Sequence, residues 1–294
     1  MGLAAIVVEG GAMRGIFAAG VLDVFLEADF APFDLAIGAS AGACNLSSHL
    51  ARQHGRNRRC FFTRMQRREF VDAGRFLRGG HWLDIDYLWE ASEREDPLDA
   101  AAIVAGPTKL VVAATCVTTG RPTYFEPDAA TMSDVLRASS AVPVLFRRFV
   151  EVDGEPFTDG GLSAPIPVEE AYRRGARRIL VIRSRPDGFP GPSRLECALA
   201  AAMLRSHPEL VQAFWRYRPI YARATAFLAR PPADCQIVHV APAGLRTSRV
   251  TRDLDVLHAD YQRGRAAGAV ALAQWRALDA APAAAGPAAH ASAR

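Results

Sequence analysis

Residues 3 to 15 read LAAIVVEGGAMRG. Leu3 to Val8 is an unbroken apolar run that stops at Glu9 and a glycine pair, the form of a short strand buried on both faces and closed by a tight turn. Beyond the turn, Phe17, Val21, Val24 and Ala28 recur on one helical face. The next segment repeats the arrangement. Phe33 to Gly38 is apolar apart from Asp34, Gly38-Ala39-Ser40-Ala41-Gly42 makes a turn, and a second helical pattern runs toward Leu50. Two successive strand-turn-helix units predict a parallel sheet and an α/β fold.

Working outward, Lys109 to Cys116 and Arg178 to Ile182 read as buried strands, and Ile237 to Val240 as a last short one. Between Phe146 and Asp159 the pattern alternates around Asp153-Gly154, which predicts a hairpin. Residues 194 to 229 read as consecutive helices, and His258 falls in a final one. Residues 52 to 96 are rich in arginine and aromatic side chains, among them Phe61, Phe62, Phe76, Trp82, Tyr87 and Trp89, with no strand pattern. That segment is a candidate cap. Residues 280 to 294 contain nine alanines and are expected to be a disordered tail. With no internal repeat and no dividing linker, residues 3 to 279 are expected to form one domain.

Composition narrows the chemistry. The 294 residues are 50% hydrophobic, enough for a large core and too apolar for a disordered chain. Lys109 is the only lysine, so lysine nucleophiles and Schiff bases can use no other residue. The formal net charge is +4, but residues 52 to 78 alone carry nine arginines against Glu69 and Asp72, a local +7. Such a segment is a candidate for peripheral contact with an anionic membrane surface, arginines meeting headgroups and aromatic rings entering the acyl boundary. The basic residues are not interleaved in a nucleic-acid module, so no nucleic-acid partner is expected. Five scattered cysteines and seven histidines lack metal-ligand spacing, and neither a metal nor another cofactor is expected. Leu3 to Val8 is too short and lacks the basic leader of a signal peptide, and the odd, sparse cysteines suggest a reducing compartment, so a cytoplasmic location is expected. No apolar stretch reaches membrane-spanning length, so a transmembrane segment is not expected.

Three turns carry chemistry. Gly38-Ala39-Ser40-Ala41-Gly42 matches G-x-S-x-G between a strand and a helix, where a strained turn exposes a serine nucleophile and small neighbours give the backbone room to bend. Gly10-Gly11-Ala12-Met13-Arg14-Gly15 fails as a P-loop for want of Lys-Ser or Lys-Thr. It is also a poor dinucleotide fingerprint, because Ala12 replaces the middle glycine. It fits an oxyanion hole, backbone amides at a helix start facing a developing negative charge, with Arg14 raising the positive potential or bracing the loop. Asp159-Gly160-Gly161 fixes an aspartate at a loop whose glycines allow close backbone approach, a candidate base. A triad using His207, His239 or His258 is the competing arrangement for a serine hydrolase.

Taken together, these turns, with Ala138 to Pro143 (ASSAVP) preceding the third, resemble the patatin-like phospholipase family from about residue 3 to 185, and a bacterial branch of it to about 275. The resemblance implies a three-layer α/β/α sandwich with a mostly parallel central sheet. It also implies a lipid or other acyl ester as substrate and a Ser-Asp dyad: Ser40 the nucleophile, Asp159 the general base, Gly10, Gly11 and Ala12 the oxyanion loop. One position departs. The family usually has glycine at Ala12, and alanine keeps the N–H but disfavours a left-handed backbone. A non-catalytic lipid- or acyl-binding member of the family is the alternative that this departure raises.

Overall fold

In the computed structural model, which describes residues 2–189 and 191–280, the opening run is β1 (Leu3–Val8), followed by α1 (Gly15–Glu27), β2 (Leu35–Ala39) and α2 (Ala41–Leu50). Next come α3 (Arg56–Phe62), α4 (Ala73–Leu77), α5 (Ile85–Glu95) and α6 (Ala100–Ala105), the segment read as a cap and its continuation. The central part holds β3 (Lys109–Cys116), β4 (Pro122–Phe125), α7 (Met132–Ser140), β5 (Val150–Val152) and β6 (Glu155–Asp159). The remainder is α8 (Val168–Arg173), β7 (Ala176–Ile182), α9 (Arg194–Met203), α10 (Pro208–Ala229), β8 (Gln236–Val240) and α11 (Leu254–Ala280). Apart from Ala280, the last residue of α11, the expected tail lies outside the described residues.

Eight strands form one sheet in the order β5-β6-β3-β2-β1-β7-β8, with β4 also paired to β3. The five from β3 to β8 are parallel. The hairpin β5-β6 and the short β4 join antiparallel at one side. At the hairpin turn both Asp153 (φ 52°) and Gly154 (φ 79°) are left-handed, as a two-residue Asp-Gly turn requires.

Alternation along the central strands builds the layers. Ile6, Val8, Val112 and Leu180 face a core shared with α1, α2, α7 and α11. Ala5, Val7, Val111 and Val181 face the opposite core, filled by α8 and α10. Helices therefore cover both faces, the three-layer α/β/α arrangement. Helices α1 and α11 approach at backbone distance: a Cβ on Gly264 would lie 2.1 Å from the Phe17 carbonyl oxygen, and one on Gly20 2.3 Å from that of Tyr261. Trp275 is fully buried, its ring edge-on to Phe33 with centroids 5.2 Å apart. An aromatic anchor of this kind typically contributes about 3–5 kcal/mol when truncation leaves a cavity. Among the described residues no helix is long and apolar enough to cross a membrane.

Candidate active site

The parallel strands β1 and β2 deliver their C-terminal ends to one edge, the antiparallel β6 ends beside them against β3, and the three turns singled out in the sequence meet there. Ser40 follows β2 with φ 53° and ψ −132°, a conformation that costs roughly 1–3 kcal/mol for a non-glycine residue. The flanking glycines permit it: a Cβ on Gly38 would lie 2.6 Å from the Ala43 nitrogen, and one on Gly42 2.3 Å from the Val8 oxygen. Ser139, in the ASSAVP block, holds the turn. Its hydroxyl accepts from the Ser40 amide at 2.8 Å and donates to the Ala113 carbonyl at 2.6 Å.

Asp159 ends β6 beside β3, where Gly160 runs so close that a Cβ would sit 1.9 Å from the Ala113 oxygen. Ser40 Oγ donates to Asp159 Oδ2 at 2.6 Å, and the Gly161 amide donates to Oδ1 at 2.7 Å. Both side chains sit in a buried setting, Ser40 4% and Asp159 8% exposed. Burial pushes the Asp159 carboxyl up to about 6, against the Ser40 and Gly161 donors and the positive Arg185 and Arg249, which favour the anion.

The glycine-rich turn is braced from the neighbouring strand. Past the end of β7, Ser184 Oγ and Arg185 Nη1 donate to the Gly10 carbonyl at 2.7 Å and 3.1 Å. A trans peptide then turns the Gly11 N–H the opposite way. The Gly11 carbonyl accepts from the Arg14 amide at 3.1 Å, which does the same for the Ala12 N–H. Neither amide donates to a protein acceptor among the described residues. Glu9, fully buried, anchors the brace: its carboxylate accepts from the Ser184 amide at 2.8 Å and from the Arg185 guanidinium. Ala12 has φ 50°, so alanine here adopts the left-handed backbone that the family's glycine would supply.

The Arg14 side chain takes no part in the brace. Its Nη1 is buried without a hydrogen-bond partner, and burial together with Arg185 and Arg249 lowers its pKa to about 10. Gly15 serves packing: its carbonyl accepts from Asn45 Nδ2 at 2.8 Å, and a Cβ would meet Ala41 and Phe61 at 3.0 Å.

Two cavities meet at Ser40. The first is walled by Phe61, Met65, Phe70 and Leu88 of the cap segment and by Met132 and Leu136 of α7. The second is bounded by Gly10, Gly11, Asp159, Leu162 and by Leu199 and Met203 of α9. Ser40, Ala12, Val142 and Arg249 line both. Sequence reasoning missed Glu9, Ser139, Ser184, Arg185 and Arg249. The signal for the brace was present, since Ser184-Arg185 follows one strand run as Glu9-Gly10 follows another.

The histidines of the competing triad lie elsewhere. His207 packs against Phe149, His239 lies 3.4 Å from Arg183 Nη1, and His258 packs against Phe62. Neither cavity is lined by a histidine, and among the described residues no cluster of three His, Cys, Asp or Glu could hold a metal ion.

The local +7 of residues 52 to 78 is largely answered within the fold. Arg52 pairs with Asp29, Arg59 and Arg64 with Asp96, Arg67 with Glu95 and Arg75 with Asp84. Most of the acidic partners stand just downstream, in or beside α5.

The family model described as patatin-like phospholipase matches residues 6–172, and one described as a domain of unknown function (DUF6363) matches residues 207–279. The uncharacterized protein YjjU of Escherichia coli (strain K12) is 39% identical over 280 residues, covering 92% of this chain and 78% of that protein. Among solved structures, the crystal structure of VipD from Legionella pneumophila is similar at a TM-score of 0.46 and 12% identity, covering 93% of this chain and 67% of that one.

Proposed function

Because the chain belongs to the patatin-like phospholipase family, we propose that it hydrolyses carboxylic ester bonds of lipids through a Ser40-Asp159 dyad. The observation that carries this reading is the 2.6 Å hydrogen bond from Ser40 Oγ to Asp159 Oδ2, formed beside a turn whose Gly11 and Ala12 amides are left free.

In this mechanism Asp159 accepts the Ser40 hydroxyl proton as Oγ attacks the acyl carbonyl carbon, and the Gly11 and Ala12 amides hold the resulting oxyanion. Collapse of the tetrahedral adduct breaks the bond to the alcohol oxygen, which leaves with the proton from Asp159. The same carboxylate then takes a proton from water, whose oxygen attacks the acyl-enzyme carbon; the bond to Ser40 Oγ breaks, Asp159 returns its proton to Oγ, and the fatty acid leaves. An aspartate near its ordinary pKa is a feeble base for an alcohol. One lifted to about 6 is better matched to neutral pH while still ionised there. The apolar first cavity receives the acyl chain, and the second receives the alcohol portion.

The non-catalytic alternative rests on Ala12, and φ 50° at that residue, the backbone a glycine would supply, supports the enzyme reading instead. A fluorophosphonate probe tests the enzyme reading. Labelling of the wild type that is lost in Ser40→Ala is the expected result. An unlabelled wild type, or equal labelling of both, overturns it. Turnover of a phospholipid, a lysophospholipid, a triglyceride and a short-chain ester then ranks the substrates.

The reading extends to a lipid surface. Leu77 (86% exposed) stands at the cap tip next to Phe76, a residue of the second cavity's rim, and Leu195 (69% exposed) continues the face of Leu199 and Met203 along α9. Arg78, Arg147 and Arg148 stand exposed around the same tip. An apolar rim with basic neighbours suits peripheral contact with anionic lipid.

A further inference from the structure

We propose that Arg249 is a specificity residue of this site, its guanidinium receiving an anionic phosphate carried on the alcohol side of the scissile ester. The proposal rests on the acyl-hydrolase reading and narrows its substrate class to phosphate-bearing lipids.

Arg249 lies in the loop between β8 and α11, and that loop is pinned on both sides of it. The Thr247 amide and hydroxyl donate to the buried carboxylate of Asp260 at 2.9 Å and 2.6 Å, and Arg246 adds its amide at 3.1 Å. Ser248 donates from its amide to Thr251 Oγ1 at 2.7 Å, closing a turn around Arg249. Beyond the turn, Arg252 Nη2 reaches the Gln66 carbonyl at 2.6 Å, tying the loop to the cap segment. The guanidinium is thus brought to the junction of the two cavities, where it lines both together with Ser40 and Ala12.

Arg249 makes no ion pair or hydrogen bond with its side chain among the described residues. The carboxylates around it are engaged elsewhere. Glu9 holds Ser184 and Arg185, Asp159 holds Ser40 and the Gly161 amide, and Glu196 accepts from the Ser193 amide at 2.7 Å to cap α9. Arg14 adds a second guanidinium with an unpartnered buried nitrogen, and the two raise the local positive potential. A half-buried guanidinium left unpaired inside a cavity is unfavourable without an anion. Its planar fork matches phosphate oxygens in a bidentate contact. Arg249 borders both cavities beside Ser40, which marks the reacting carbon, and of the two parts of a lipid ester only the alcohol portion carries a phosphate, so an anion held there lies on the alcohol side.

The test compares lauroyl lysophosphatidic acid with monolaurin, which carries the same acyl ester without the phosphate. In Arg249→Gln the ratio of kcat/KM for the phosphate substrate over the neutral one falls by roughly ten- to a hundredfold, mainly through KM, the size of a lost hydrogen bond to a charged group. Arg249→Lys restores part of the ratio. A ratio equal to wild type, or an equal fall for both substrates, overturns the proposal. An ether analogue of the lysolipid, which has no ester to cleave, reads the contact without turnover. Its affinity drops at least about tenfold in Arg249→Gln if the contact exists, and equal affinity overturns it. Tight binding that depends on Arg249 in a chain with no Ser40-dependent turnover would sink the hydrolase reading and keep the contact.

Discussion

Arg185 Nη1 donates to the carbonyl of Gly10 at 3.1 Å, so a residue at the end of β7 sets the direction of an amide at the end of β1. Ser184 grips the same oxygen at 2.7 Å. Removing one of the two loosens the aim of the Gly11 N–H without touching substrate. Ser184→Ala should therefore lower kcat on a soluble ester by roughly five- to thirtyfold with KM little changed, a loss of about 1–2 kcal/mol of transition-state stabilisation. Steady-state kinetics check it, and a fall confined to KM would contradict the role. Arg185→Met is a different case. It leaves buried Glu9 with only the more distant Arg183 guanidinium, 3.9 Å away, and a loss of up to about 3–5 kcal/mol in stability is expected from denaturant unfolding.

Ala12 at φ 50° carries a strain that glycine lacks. An L-residue in this region costs roughly 1–2 kcal/mol, of which glycine returns about 0.5–1 kcal/mol through its more flexible unfolded chain. Ala12→Gly should gain up to about 1 kcal/mol, visible as a rise of a few degrees in Tm, with turnover equal or higher. Ala12→Val, β-branched at a left-handed position, should lower both. An Ala12→Gly variant that melts lower than wild type would contradict the assigned backbone.

Asp159 couples activity and stability with opposite signs. The base must be ionised, so kcat/KM should rise with pH through about 6 and level off above it. For stability, the folded pKa stands above the unfolded one. Below about pH 4 the carboxyl is neutral in both states and its burial carries no charge penalty; as pH climbs through about 6 the folded chain must ionise a buried group, and stability is lost. Asp159→Asn should abolish turnover yet unfold later than wild type. Its advantage should grow between pH 4 and 7 to about 3 kcal/mol at most. Melting curves at the two pH values check the sign, and an advantage that shrinks as pH rises would refute it.

The fold was legible where local pattern and tertiary role coincide. Leu3–Val8 and Lys109–Cys116 are strands with the expected bounds, because a strand buried on both faces leaves an unbroken apolar run. Ser40, Asp159 and the glycine turn were legible because steric demands leave a trace: only glycine fits where Gly42 and Gly160 touch neighbouring backbone. The missed elements lack such a trace. β4 is four residues at the side of β3, none of them fully buried; the final helix α11 was expected, but its small-residue seam against α1 shows only once Gly264 and Gly20 are known to meet. Arg249 stands among 34 arginines. Nothing local separates it from those paired on the surface. Nor did the arginine count of residues 52 to 78 reveal that Asp96 and Glu95 answer it from the other end of the same segment.

That pairing changes which side chains should control binding to a membrane. Arg59, Arg64 and Arg67 hold the cap together through Asp96 and Glu95, so neutralising them disturbs the walls of the first cavity before it weakens any contact with lipid. The groups free to meet a bilayer are Leu77 at the cap tip, Leu195 on α9 and the exposed Arg78, whereas Arg148 is paired with Asp86. Burying one leucine contributes about 1.5–3 kcal/mol, and a basic residue near an anionic surface about 1 kcal/mol. Partition onto phosphatidylglycerol-containing vesicles should therefore fall at least about tenfold for Leu77→Asp or Leu195→Asp and about fivefold for Arg78→Gln. Neither leucine lines a cavity, so hydrolysis of a short soluble ester should persist in both leucine variants. Added salt should weaken the arginine contribution and spare the leucine one. Vesicle sedimentation at two ionic strengths separates the terms, and partition equal to wild type in both leucine variants would remove this rim from the membrane contact.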